Sequence, residues 1–242
     1  MTVSVSPITM AGQTIARSFS DTFNRASGLL GQDWLMGSLE FTPAGTPAQA
    51  QDYNITASAL DGLQCLRADS QNGAANPNWV LTGFCVPIPP LMGVRNLNQF
   101  AQATLVNATG AGAERSNCGL MTMFSLNRTG GIAGWCFYYL EALPQINVLQ
   151  FGRCINGTYN FAAPFGAIAG GVANGNVLRL SADIQATQVV LTASKNGTVV
   201  GTATDNSAQR LTLGVPGFAT RGSGGVNPGF HEWRNFSCGV GA

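Results

Sequence analysis

The sequence predicts an all-β, antiparallel fold, a sandwich or a barrel, and three observations carry that prediction. The dominant hydrophobic period is two: Leu178-Arg179-Leu180-Ser181-Ala182-Asp183-Ile184 alternates apolar and polar without a fault, as a half-buried strand must when successive side chains point to opposite faces. Asn-Gly stands between strand-like runs at Ile155-Asn156-Gly157-Thr158 and at Lys195-Asn196-Gly197-Thr198. That pair is preferred in type I′ hairpins, whose two central residues need positive φ. Nowhere do apolar residues keep an i, i+3, i+4, i+7 pattern through three capped turns.

In chain order, residues 1–14 stand apart as a thin stretch, weakly apolar at Val3, Val5, Ile8 and Met10 and broken by Pro7. It reads as a frayed terminus or as an extended arm that adds a strand to a neighbouring subunit. Its apolar positions favour the arm, because frayed tails are more polar. No repeat or linker divides residues 15–242, which read as one domain. Strands are predicted at Leu63–Ala68, Asn78–Val86, Phe100–Val106, Gly119–Leu126, Gly134–Glu141, Ile146–Cys154, Thr158–Ala162, Leu178–Ile184, Val189–Lys195 and Thr198–Thr204. Leu143-Pro144-Gln145 is a turn, and Asn127–Gly131 a longer hairpin loop. The Gly- and Ala-rich stretch from Phe165 to Asn176 has the best helical composition, but its glycines make it a loop.

Charged residues make up only 10% of the 242-residue chain, against roughly 25% in soluble globular domains. Hydroxyl and amide groups must keep such a surface wet. Eleven arginines and the single Lys195 are spread singly, and the net charge is +1, so nothing favours nucleic acid or an anionic membrane surface. No apolar run reaches the roughly 18 residues of a membrane-spanning helix. The opening Met-Thr-Val-Ser-Val-Ser-Pro has no basic and apolar regions of a secretory signal, so synthesis in the cytoplasm is expected. The six cysteines include no Cys-x-x-Cys spacing, which argues against zinc. Cys136 and Cys154 flank the Leu143 turn almost symmetrically, so they fit either a cross-strand disulfide or buried thiols, and an unexported chain favours thiols.

The segment Ser20-Asp21-Thr22-Phe23-Asn24-Arg25-Ala26-Ser27-Gly28-Leu29-Leu30-Gly31-Gln32-Asp33-Trp34 resembles the opening of concanavalin A-like (laminin-G-like) jelly-roll domains, Asp-x-Phe-x-Arg-x-x-Gly-x-Leu-Gly-x-x-Trp. Gly197–Val200 with Thr204-Asp205 resembles the late hairpin of that family. Gly214–Thr220 and Glu232-Trp233-Arg234-Asn235-Phe236 resemble its closing strands. The resemblance runs from Phe19 to Cys238 and implies a jelly-roll β-sandwich. It would lay Ser18–Phe23 beside Glu232–Cys238 and make Trp34 a core anchor with Trp233 and Phe236. Such domains occur in bacteriophage virion proteins and in secreted glycan-binding proteins.

Enzymes of this fold hydrolyse polysaccharides with carboxylates clustered on one strand, because acid and nucleophile must sit about 5–5.5 Å apart for retention. Here Glu40, Glu114, Glu141 and Glu232 are solitary and the seven aspartates are scattered. The single histidine, His231, has no Gly-x-Ser-x-Gly partner and reads as a surface or hydrogen-bonded structural residue. Asp205-Asn206 reads as a turn cap rather than a calcium site. The Asn-x-Ser/Thr sequons reflect Asn- and Thr-rich turns. No catalysis, metal or cofactor is expected.

The aromatics offer a glycan platform. Trp79 follows Asn76-Pro77-Asn78 at a loop-to-strand junction, while Trp135 and Tyr139 share one strand face and Tyr138 takes the other; one of those faces is core. The primary expectation is a non-catalytic structural protein of a tailed bacteriophage. It would stand on the virion surface as capsid decoration or a tail or fibre component, and assemble with other virion proteins or as a homo-oligomer. The alternative is a carbohydrate-binding, lectin-like module or adhesin that recognises host-surface glycans.

Overall fold

The computed structural model describes residues 17–30, 33–41, 53–69, 80–87, 98–108, 116–126, 135–222 and 230–240. Period-two alternation has become two antiparallel sheets packed face to face. The first contains β1 (Arg17–Asp21), β2 (Gly28–Leu29), β4 (Tyr53–Ala57), β5 (Gln64–Asp69), β7 (Gln99–Ala108), β13 (Val177–Ile184), β14 (Val189–Lys195), β15 (Thr198–Asp205) and β17 (Phe230–Val240). Its order is β15-β14-β13-β7-β17-β5-β4-β2, with β1 also on β17. The second contains β3 (Trp34–Phe41), β6 (Val80–Pro87), β8 (Ser116–Leu126), β9 (Trp135–Leu143), β10 (Val148–Ile155), β11 (Thr158–Asn160), β12 (Gly166–Ile168) and β16 (Val215–Gly222). Its order is β11-β10-β9-β8-β16-β6-β3, with β12 also on β10. This is a jelly-roll sandwich.

Each inner face is set by alternation. Ala101, Ala103 and Leu105 of β7 and Leu178, Leu180 and Ala182 of β13 enter one core cluster with Leu120, Tyr138, Leu140 and Phe218 of the second sheet. First and last strands lie side by side as the resemblance implied, Phe19 opposite Cys238 and Asp21 opposite Phe236. Trp34 is a core anchor: its ring lies 5.2 Å from Phe236 and 5.3 Å from Phe19. Both Asn-Gly pairs adopt positive φ, 50° and 75° at Asn156 and Gly157 and 51° and 81° at Asn196 and Gly197. The Leu143 turn is one 3-10 turn, Pro144–Ile146, closed by Asn147 in the left-handed region.

Gln99, Tyr138 and His231 make polar contacts between the sheets inside the apolar core, where an unmet polar group is costly. Gln99 donates to Gly214 O at 2.5 Å and accepts from Met123 N at 3.0 Å. The Tyr138 hydroxyl donates to Asp205 at 2.8 Å and accepts from Leu211 N at 2.9 Å. Nε2 of His231 lies 2.9 Å from Ala142 O.

The symmetric placement of Cys136 and Cys154 does not make them partners. Cys154 pairs with Phe137 in register, so Cys136, one residue away, points to the opposite face. Both are free and buried.

Candidate functional site

The opening motif is a structural clamp. Asp21 accepts from Phe23 N at 2.8 Å, from Arg25 through both carboxylate oxygens at 2.8 Å, and from Trp34 Nε1 at 3.0 Å. Arg25 also donates to Leu30 O at 2.8 Å. One carboxylate thus fixes the turn, the arginine and the core tryptophan, which accounts for the motif without any ligand.

Further carboxylates are likewise held by neighbouring donors. Glu232, on the first sheet's outer face, accepts from Ser58 Oγ at 2.6 Å, Ala59 N at 3.2 Å and Arg67 at 2.6 Å. Asp61 is paired with Arg234 at 2.5 Å. Asp205 does cap its turn, accepting Ser207 N at 3.0 Å, and it also pairs with Arg153 at 2.7 Å. Glu141 accepts from Gln150 of the neighbouring strand. His231 is fully buried and burial pushes its pKa down to about 4. Its neighbour Glu232 lies on the other face of β17, so the two form no catalytic pair. Among the described residues no three His, Cys, Asp or Glu groups cluster as metal ligands.

The aromatic platform is corrected by burial. Trp135 and Tyr139 do share the outer face of the second sheet, but they are buried at 6% and 0% exposure, with Met121, Phe124, Phe137 and Cys154 in a second apolar cluster. Tyr159 and Phe161 fold back against it, with their rings stacked at an interplanar angle of 9°. Phe161 lies over Gly152, where a Cβ would meet its ring at 2.5 Å. A sugar stacks on an accessible ring face, and these two offer none. Trp79 and the arm residues Val3, Val5, Ile8 and Met10 lie outside the described residues.

The accessible chemistry lies on the outer face of the first sheet. Cross-strand register puts Gln102, Arg179 and Ser194 in one row over β7, β13 and β14, with Ser237 of β17 beyond Gln102. The next row is Phe100, Ser181, Thr192 and Thr202. The guanidinium carbon of Arg179 lies 3.7 Å from the Phe100 ring centroid, and its Nε donates to Ser181 Oγ at 3.2 Å. Gln102, Val177, Arg179, Ser194 and Gly197 line a cleft of about 340 Å³. The sequence signalled that Arg179 faces outward, since it alternates with Leu178 and Leu180. It did not signal the row, because Gln102 and Ser194 come from distant segments whose register only the folded sheet fixes.

No family model and no curated protein sequence matches the chain. Among solved structures it is similar to an endo-1,3-beta-glucanase from Streptomyces sioyaensis, at 14% identity and a TM-score of 0.52 over 96% of this chain and 99% of that one. It is also similar to the lectin UEA-II complexed with galactose, at 10% identity and a TM-score of 0.49 over 93% and 98%. A third similar structure is the Lotus tetragonolobus seed lectin, at 8% identity and a TM-score of 0.48 over 92% and 97%. The fold is the concanavalin A-like jelly roll, an architecture found in lectins and in glycoside hydrolases alike.

Proposed function

We propose that this protein binds carbohydrate without transforming it, and that the outer face of the first sheet is its recognition surface. The observation that carries this reading is the two-row array of Gln102, Arg179, Ser194, Ser181, Thr192 and Thr202, with the cleft among them. Amides and hydroxyls at strand spacing match the donors and acceptors of a saccharide. The sharing of the fold with an endo-1,3-beta-glucanase accords with a carbohydrate ligand. A retaining or inverting mechanism, however, requires two carboxylates free to face the sugar. Among the described residues Asp21, Asp61, Asp205 and Glu232 are each held by an arginine, while Glu141 and Asp183 accept from Gln150 and Gln185. The test is a glycan array probed with the full chain and with Ser194→Arg, which fills the cleft. Binding by the parent and its loss in the variant is expected; equal binding by both removes the face from the account.

A second reading, in which the chain is a surface component of a tailed-bacteriophage particle, is supported by a different observation. Leu60 and Leu63 are 62% and 61% exposed on one turn, and that turn is braced from beneath by Glu232 and Arg234. Rigid exposed leucines suit contact with neighbouring virion proteins or with further copies. This reading gives residues 1–14 the role of docking arm. A particle protein that grips host-surface glycans satisfies both readings. Quantitative mass spectrometry of purified particles tests it: hundreds of copies mean capsid decoration, a handful a tail or fibre, and none removes the particle role.

A further inference from the structure

The cleft on the first sheet contains a cation, Arg179, that has no carboxylate partner among the described residues. Arg179 is flanked in register by Gln102 on one side and Ser194 on the other. Its hydrogen bond to a side chain is from Nε to Ser181, and its ring contact is with Phe100. Partial burial lowers its pKa, and no carboxylate among the described residues offsets that. Asp183, the acid on the same strand and face, is exposed and accepts from Gln185. Lys195 is turned away and donates to Gly170 O at 2.7 Å and Gly171 O at 3.2 Å.

We propose that Arg179 is the anchor for a carboxylate, and that the ligand of this face is an acidic saccharide, a uronate or sialate unit, with Gln102 and Ser194 meeting its hydroxyls. The inference rests on the carbohydrate reading above and adds the ligand's charge class. Three features point to it. Stacking on Phe100 and the Nε bond to Ser181 fix the guanidinium plane, so little freedom remains to be lost when a ligand binds. With Nε committed, the two terminal nitrogens form the fork that a carboxylate accepts through both oxygens. The cleft offers a single cation among neutral groups, which suits one carboxylate within a polar ring rather than a polyphosphate, which needs several cations.

The experiment is titration calorimetry of the full chain with tetragalacturonate and its methyl ester, and with sialyllactose and lactose. Arg179→Gln and Arg179→Lys are run alongside, each checked for an unchanged melting profile. At least one acid is expected to bind better than its neutral counterpart by roughly ten- to hundredfold, the worth of a charge-assisted hydrogen bond. Arg179→Gln should abolish that preference, and Arg179→Lys should restore only part of it, because a point charge lacks the fork. A Phe100→Leu variant should weaken binding of the same acid by freeing the guanidinium. Equal binding of acids and neutral forms, or a preference that survives Arg179→Gln, overturns the inference and leaves the carbohydrate reading standing. Absence of binding to all four, together with an empty glycan array, overturns both.

Discussion

At the scale of single residues, the buried polar groups are structural, and their titration shows it. His231 has its folded pKa pushed down to about 4 from the ordinary 6.5, because burial disfavours the imidazolium more than the Ala142 carbonyl favours it. The unfolded chain therefore takes up the proton first. The contribution of neutral His231 is complete above pH 6.5 and is lost as pH falls through 4, amounting to at most about 3 kcal/mol. Denaturant midpoints measured across that window should fall with acid in the parent and flatten in His231→Phe. Asp61, lowered to about 2 by Arg234, loses its ion pair only below pH 3.8, so the two effects separate. Asp21→Asn should cost about 1–3 kcal/mol in urea unfolding, since one carboxylate holds a backbone N–H, Arg25 and Trp34 together. Asp61→Asn, with 38% of its side chain exposed, should cost less than Asp21→Asn in the same assay. The sequence announced the Asp21–Trp34 set as a motif. It did not announce that Asp61 and Glu232 would meet Arg234 and Arg67, which lie more than a hundred positions away or on another strand.

At the scale of elements, strands with strict alternation and Asn-Gly turns were legible, β13, β14 and β15 within a residue at each end. Elements without that signal were not. β3 mixes Met36, Gly37 and Ser38, β4 is Tyr53–Ala57, and β12 is three residues inside a stretch that reads as a loop. β9 is buried along its whole length, so its alternation reports which cluster each residue joins and not which side meets water. That is why Trp135 and Tyr139 look like a platform in the sequence and are core-like in the fold. Close strand contact also fixes a glycine: a Cβ at Gly119 of β8 would collide with the Leu140 carbonyl oxygen of β9. Gly119→Ala should therefore separate those strands and lower stability by about 3 kcal/mol or more. Gly197→Ala at the β14–β15 hairpin, where φ is +81°, should cost about 1 kcal/mol, and circular-dichroism melts of the two variants side by side test the ranking.

At the scale of the whole molecule, closure of the chain on itself governs what the protein can do. Pairing of β1 with β17 and the inter-sheet bonds of Gln99, Tyr138 and His231 tie distant segments into one body, so binding surfaces are rigid and a ligand meets a preformed array. The low charge of the chain, plain in its composition, becomes intelligible here: arginines and carboxylates neutralise one another around the loops, and hydroxyls and amides dominate the open face. Arg179 has no carboxylate partner among the described residues and stands on that open face, whereas Arg210 spends its guanidinium on the carbonyls of Ser207 and Ala186, and the account turns on Arg179. The most direct measurement is an amide NMR titration of the isotope-labelled full chain with tetragalacturonate and sialyllactose. The account predicts saturable shifts concentrated on Phe100, Gln102, Arg179, Ser181, Thr192 and Ser194 with at least one of the two. Shifts concentrated on β8, β9 and β10 of the second sheet instead, or no saturable shift with either, would contradict it.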